Sequence, residues 1–337
     1  MKLDFDPRKN ITIIDHIIMT LERIIKFNDI VDLLTIKKSV KNWRMVALFK
    51  LGIINEFKLI LRDGVSIKID RSNFVSFWSY APLMNELVLK LEVEGAHKIK
   101  NLEIDKITKI IKFEFKGNTV KFFYDSSKQL INTFGLIKEQ FTEEQYKWLE
   151  VERKDIIDIG ANVGDSAIYF ALKGAKHIYA FEPYPYSWDI ANKNIRLNRL
   201  QDKITLINQG CSEKETIVTI DSQYKNFGGT DLKSFESGKK IKITTLGKII
   251  KRVDIRYPAV LKIDCEGCEY GFLLKAKKSD LRKFEEIQIE YHYGYLNLKR
   301  KLEESGFNVS KQLPKSIPNL EVENKEMLVG WIYAERV

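Results

Sequence analysis

Apolar residues change their spacing several times along the chain, and each spacing predicts a different element. Between Ile11 and Leu34, the residues Ile14, Ile17, Ile18, Leu21, Ile24 and Ile25 recur at steps of three and four, which lays an apolar stripe along one side of a helix. A second helical stretch follows in "VKNWRMVALFKLG", where Lys41, Arg44 and Lys50 stand among apolar residues. Its stripe suits either the core of an accessory module, the favoured reading, or a membrane interface. The rhythm then becomes alternation in "FKLILRDGVSIKID", around Asp63-Gly64, and in "IIKFEFKGNTVKFFYD", around Gly117-Asn118, so each reads as a hairpin. In "FTEEQYKWLE", Thr142 is a candidate N-cap with Glu144 and Gln145 in the first turn, which predicts a helix leading into the next domain.

From Asp155 onward, short apolar runs alternate with helical stretches: "DIIDIG", "HIYAFEP", "ITLINQG", "AVLKIDC" and "EIQIEYH". Runs apolar on both faces and separated by helices predict a parallel sheet with helices on each side. "LKRKLEESGFNV" reads as a helix ended by Gly306, and "EMLVGWIYAER" as a last strand. The expected division is an N-terminal α+β accessory module over 1–140 and an α/β, doubly wound, Rossmann-like domain over 141–337.

The chain has 337 residues, 44% of them hydrophobic, enough to bury a full core. No apolar run approaches the ~18 residues that span a bilayer, and "MKLDFDPRKN" lacks the layout of a secretory leader. The expected location is therefore the cytoplasm, with peripheral membrane contact through the N-terminal helices left open. Three cysteines are too few for a secreted disulfide framework. A net charge of +10 favours an anionic partner such as RNA or an acidic surface, although surface lysines alone produce the same balance.

The sharpest local feature is "DIIDIGANVGDSAIYFALKGAKHIYAFEP": a strand, a glycine turn, a helix, and a second strand ending in an acid. Gly160 and Gly164 let the backbone turn tightly against a ligand, and Glu182 can accept hydrogen bonds from a ribose diol. The spacing is not Gly-x-Gly-x-x-Gly. Asp158 and Asp165 would repel a pyrophosphate but suit an ammonium and a sulfonium, so the loop favours S-adenosylmethionine over a dinucleotide. Gln209 and Gly210, after the third run, join Asn162 as expected cofactor contacts.

"DIGANVGDSAIYF", "YAFEPYP", "NKNIRLN" and "LKIDCEGCEYGFL" together resemble the FkbM family of S-adenosylmethionine-dependent methyltransferases, over about Asp155 to His292. The resemblance implies a class I methyltransferase Rossmann-like fold and O-methylation of sugars and other hydroxylated products. It also implies Asp158, Gly160, Asn162 and Gly164 around the methionine part, Glu182 on the ribose, and the segment from Asp264 to Glu269 on the reaction side. Substrate choice falls to the parts it leaves uncovered, among them "YHYGY".

Asp264 ends the fourth run, and Glu290 and His292 end the fifth, so with Glu266 they should open onto one cleft beyond the strands' carboxyl ends. Methyl transfer to oxygen needs a group that takes the hydroxyl proton. Asp264 or His292 is the expected base, with Glu266 or Glu290 positioning the acceptor or holding a divalent ion. The oxygen-rich set suits Mg²⁺ or Mn²⁺, but a metal is not favoured over metal-free chemistry. Glu269 reads as a helix-start acid facing the dipole. Cys265 and Cys268 have zinc or redox spacing but are expected to be small residues under the turn, because side chains diverge at a strand-to-helix junction. "NFGGTDL" reads as a surface loop, the favoured reading, or a lid over the cleft. The acceptor is expected to be a glycan or small molecule. An RNA methyltransferase and a non-catalytic assembly protein remain the alternatives.

Overall fold

The computed structural model describes residues 6–24, 37, 40–50, 52–60, 66–70, 98–221, 234–255, 257–318 and 326–337. The turn at Asp63-Gly64 and the "NFGGTDL" segment lie outside the described residues, as does the stretch from Ile25 to Leu34. The chain forms two compact units, Leu21–Glu144, and Met1–Thr20 joined with Gln145–Val337. The first twenty residues thus belong to the large unit, not to the 1–140 module expected from the sequence.

Helix α1 (Ile13–Ile24) begins in the large unit. Of the isoleucine stripe's described side chains, Ile14 and Ile17 are exposed and Ile18 is half-buried, whereas Asp15 and Met19 are buried. Asp15 turns inward because it finds partners there. It accepts hydrogen bonds from Thr12, from Tyr295 Oη at 2.7 Å and from Lys311 Nζ at 2.7 Å.

The small unit contains α2 (Trp43–Lys50) and the hairpin β1 (Glu56–Ile60) and β2 (Ser66–Asp70). Val40, Val46 and Phe49 pack on Phe57, Leu59 and Ile69, so the stripe of this helix faces protein. A three-stranded antiparallel sheet follows, β3 (Ile99–Asp105), β4 (Ile110–Phe115) and β5 (Asn118–Phe123), with the expected turn at Gly117. Alternation puts Phe113, Phe115 and Phe122 on one face, where Phe141 meets all three rings. Helix α3 (Ser127–Ile137) is capped by Ser126.

The helix expected from Thr142 does not form. A π-helical turn ends at Thr142, and residues 145–148 are a turn. Tyr146 and Leu149 are sunk completely; the Leu149 amide closes one turn on the Tyr146 carbonyl, and other backbone groups bond to side chains of a neighbouring strand: the Glu150 amide donates to Glu286 Oε2, and Gln288 Nε2 donates to the Gln145 carbonyl.

The large unit alternates as the runs predict. β6 (Asp155–Ile159), α4 (Asp165–Leu172), β7 (His177–Phe181), α5 (Pro185–Leu197) and β8 (Ile204–Ile207) build one half. A side sheet of β9 (Gly210–Cys211), β10 (Thr216–Ile220) and β11 (Lys239–Thr244) intervenes, followed by α6 (Leu246–Val253). The other half is β12 (Ala259–Ile263), α7 (Cys268–Leu274), α8 (Lys278–Leu281), β13 (Glu286–Tyr291), α9 (Leu296–Glu303), β14 (Phe307–Lys311), β15 (Lys315–Pro318) and β16 (Glu326–Arg336).

The main sheet runs β14-β16-β13-β12-β6-β7-β8, with β15 also on β16. Strands β13, β12, β6, β7 and β8 are parallel; β16 is antiparallel to both of its neighbours. From β6 the chain winds outward to β8, returns, and lays β12 on the other side of β6. Strand order therefore reverses between β6 and β12, and a doubly wound sheet opens its ligand crevice beyond the carboxyl ends at such a point.

Candidate active site

The crevice is built by loops that leave β6, β7, β8 and β12, with β9 beside them. After β6, the backbone takes positive φ at Gly160 (81°), Asn162 (45°) and Gly164 (84°). Gly160 is obligatory for a second reason: a Cβ there would stand 1.7 Å from the Asp264 carbonyl oxygen, because β12 ends directly against this turn. The two loops are tied by the Asp264 amide, which donates to the Ile159 carbonyl at 3.0 Å. One cavity, about 660 Å³ counted to its open mouth, is lined by Gly160, Asn162, Glu182, Gln209, Gly210, Asp264 and Glu266, together with apolar Phe181, Pro183 and Tyr184 and all three cysteines.

Glu182, just beyond β7, is buried with each oxygen held by an amide: Asn162 N at 2.9 Å on Oε2 and Tyr184 N at 2.8 Å on Oε1. Burial pushes its carboxyl up to about 8, against the pull of those two amides. Gln209 is steadied by Arg252, which donates to its Oε1 at 2.9 Å.

Asp158, Gly164 and Asp165 are not part of the cavity's lining, and of the four residues expected to share the cleft only Asp264 and Glu266 line it; Glu290 and His292 do not. Asp158 is fully buried; its Oδ2 accepts from Ser166 Oγ at 2.6 Å. Its Oδ1 is 2.9 Å from Lys262 Nζ, an electrostatic contact rather than an aligned hydrogen bond. The same ammonium donates to the Gly160 carbonyl at 2.7 Å, so Lys262 links the sheet to the glycine turn. Burial works against the charge on Lys262, but Asp158 and Asp264 outweigh it and its pKa rises. Asp165, at the first turn of α4, is pushed up to about 7 by burial.

At the β12 side, Asp264, Glu290 and His292 offer ligand atoms that all lie within 4.8 Å of one another. His292 is 2% exposed and clasped on both ring nitrogens: Nδ1 is 2.9 Å from Glu269 Oε1, and Nε2 is 3.0 Å from Glu266 Oε2. Burial opposes a charge on this ring, but Glu266 and Glu269 overcome it and raise its pKa well above the ordinary value. A ring protonated on both sides is a poor proton acceptor. Asp264 lies above the usual carboxylate range, through burial first, with Lys262 opposing and Glu266 adding to the rise.

Three residues of this arrangement carry no mark in the expected site. Glu269 is more than a dipole partner at the start of α7: it is fully buried, and besides Nδ1 it accepts from the His292 amide at 3.1 Å and the Gly267 amide at 2.9 Å. Lys262 is a lysine inside an otherwise apolar run, and a fully buried lysine requires an acid partner. Tyr146 is buried beneath Lys262 Nζ, 5.7 Å from its ring centroid; nothing in its local sequence distinguishes it.

Cys265 and Cys268 correct the expectation that they diverge. They form a disulfide, with Cα atoms 5.4 Å apart. Positive φ at Glu266 (57°) and Gly267 (109°) curls the turn back on itself and brings the two sulfurs together. Cys211 is free and buried. The "YHYGY" segment also acquires a place: Tyr270 Oη donates to the Gly294 carbonyl at 2.6 Å and accepts from the Tyr293 amide at 2.7 Å, which anchors α7 to the loop after His292. Among the described residues, no helix is long and apolar enough to cross a membrane.

Five parallel strands, an antiparallel strand inserted beside β13, a glycine turn after the first strand and an acid after the second define the class I methyltransferase fold. Residues 158–309 match the family model described as Methyltransferase FkbM domain. The chain is 26% identical over 146 residues to the hexuronic acid methyltransferase AglP of Haloferax volcanii, covering 43% of this chain and 59% of that protein. It is 27% identical over 134 residues to the methyltransferase sdnD of Sordaria araneosa, covering 39% and 51%. The chain thus spans about half the length of these relatives. Among solved structures, the methyltransferase FkbM of Methylobacillus flagellatus KT aligns at 15% identity over 62% of this chain and 55% of that one, with a TM-score of 0.38. The M. jannaschii TYW2 structure in complex with AdoMet aligns at 16% identity over 68% and 88%, with a TM-score of 0.37.

Proposed function

We propose that the protein transfers a methyl group from S-adenosylmethionine to a hydroxyl oxygen of a sugar, glycolipid or small hydroxylated metabolite. The observation that carries this reading is one cavity that joins the amide-held Glu182, beyond β7, to Asp264 and Glu266, beyond β12, across the glycine turn between them. The residues fit the donor. Glu182 retains lone pairs for ribose hydroxyls, Phe181 and Tyr184 offer apolar surface to a base, and Gly160 leaves room for close backbone approach. Bound there, S-adenosylmethionine would supply an electrophilic methyl group on a sulfonium.

The residues around the β12 end take the acceptor. Asp264 is the base for the acceptor hydroxyl, since its raised pKa strengthens it as a proton acceptor. Glu266 and Glu290 accept hydrogen bonds from neighbouring hydroxyls. His292, clamped by Glu266 and Glu269, positions these carboxylates instead of serving as the base. The Haloferax relative, a hexuronic acid methyltransferase, supports an acidic sugar as one acceptor of this kind.

Calorimetry with S-adenosylhomocysteine tests the cofactor half, and absence of binding would sink the whole reading. Transfer of labelled methyl into fractionated extract tests the acceptor half. Label in lipid-linked sugars or small hydroxylated metabolites supports it, whereas label confined to RNA replaces the acceptor with a nucleic acid.

A further inference from the structure

The cluster around His292 has the composition and order of a cation site. Asp264, Glu290 and His292 present ligand atoms within 4.8 Å of one another. An ion with bonds of ~2.1–2.4 Å holds ligand atoms up to ~4.2–4.8 Å apart across it, and ~3.0–3.4 Å apart when they are adjacent. The 3.0 Å between His292 Nε2 and Glu266 Oε2 is therefore also the spacing of two adjacent ligands on one ion. Behind the ring, Glu269 is fully buried and takes Nδ1, as a carboxylate does behind a metal-bound histidine, which leaves Nε2, beside Glu266, as the nitrogen to meet an ion.

A separate observation points to the same place. Tyr146 is completely buried, yet its hydroxyl has no hydrogen-bond partner among the described residues. Apart from burial, the strongest influences on that hydroxyl are the carboxylates of Asp264 and Glu290. Its ring packs edge-on against Trp331, at 5.5 Å, and Trp331 is the cross-strand partner of Glu290. A phenol turned to a carboxylate cluster without bonding to it suits a water or acceptor oxygen held on a cation.

We propose that Asp264, Glu290 and His292, with Glu266 beside them, bind one divalent cation next to the cavity, where Asp264 and Glu266 line it, with Tyr146 facing its water or acceptor oxygen. Three carboxylates with one imidazole favour Mn²⁺ over Mg²⁺, which prefers an all-oxygen shell with several waters, and over Zn²⁺, which prefers thiolate and imidazole. Binding exchanges the Nε2 proton for the cation, so the ring enters neutral. The inference deepens the proposed reaction, because a cation there would acidify an acceptor hydroxyl and hold its neighbour in place.

The test needs no methyl donor. Full-length chain, stripped with chelator and dialysed, is titrated with Mn²⁺ alone and followed by electron paramagnetic resonance. One bound Mn²⁺ per chain is expected, with affinity lowered at least tenfold in Glu290→Gln and His292→Asn, and tenfold to a hundredfold in Glu269→Gln. Circular dichroism and S-adenosylhomocysteine binding verify that each variant is folded; Glu290→Gln, at a partly exposed site, is the variant expected to retain both. No stoichiometric Mn²⁺, or Mn²⁺ binding unchanged by Glu290→Gln in a folded protein, overturns the cation site. Failure of the homocysteine analogue to bind wild-type chain overturns the methyl-transfer reading instead, so the two failures are distinct.

Discussion

Lys262→Met is expected to weaken the large unit more than any surface change, because it leaves a buried carboxylate without its cation. Asp158 has no exposed surface, and its remaining partner is the neutral Ser166 hydroxyl. Removing one member of a buried ion pair costs about 3–5 kcal/mol, most of it the penalty of the charge left behind. At ~2–4 °C per kcal/mol for a domain of this size class, the melting temperature should fall by roughly 6–20 °C. Asp158→Asn added to Lys262→Met removes the stranded charge, so the double variant should recover about half of the loss or more. Hydrogen exchange of the β6 and β12 amides reports the effect locally, and chemical denaturation gives the coupling. A loss under about 1 kcal/mol in Lys262→Met, or additivity of the two substitutions within about 0.5 kcal/mol, would refute the reasoning. The single variant should also bind S-adenosylhomocysteine more weakly, since the Gly160 carbonyl loses its 2.7 Å donor.

Asp264→Asn should lower kcat by about 10²–10⁴ while cofactor affinity changes little, measured as labelled-methyl turnover beside calorimetry. Burial holds Glu182 at about 8, and a ribose diol donating to the carboxylate would lower that value. Cofactor affinity should therefore rise from pH 6 to about 8, with proton release on binding, and level off above; Glu182→Gln should abolish both the rise and the release. For Asp15, burial opposes the charge, but hydrogen bonds from Lys311, Thr12 and Tyr295 hold it down at about 2. Its stabilisation is complete above the ordinary carboxylate value near 4 and is lost as pH falls toward 2, and Asp15→Asn should raise hydrogen exchange across residues 6–20 at neutral pH. Replacing both Cys265 and Cys268 by serine opens a four-residue ring worth about 2 kcal/mol or less; S-adenosylhomocysteine binding should weaken no more than roughly thirtyfold, and dithiothreitol should have the same effect on wild type but none on the variant.

By itself, the sequence determined the periodic features. Five short apolar runs separated by helical stretches could bury both faces only in a parallel sheet, and β6, β7, β8, β12 and β13 form where those runs lie. Gly160, with its left-handed backbone and no room for a Cβ, was legible as a turn under a ligand, and Glu182 as the acid after the second strand. Periodicity, however, says which face of an element is apolar, not which element stands beside it. Only the sheet order could put Lys262 against Asp158, opposite each other on β12 and β6 about a hundred residues apart in sequence. Glu269 looked like a dipole partner because its real partner, His292, is brought to it by the next strand. Tyr146 had no local signal, since its segment gives up helical bonds for bonds to β13. At the start of α1, Ile14 and Ile17 of the isoleucine stripe stay exposed and Asp15 turns inward, because its partners arrive from Tyr295 and Lys311, far down the chain. The cysteines were decided by two positive φ angles at Glu266 and Gly267, which residue spacing does not encode. Local pattern fixed the elements and the glycine turn. Long-range pairing of buried charges, which only the assembled sheet provides, fixed how the acids beyond β12 are arranged.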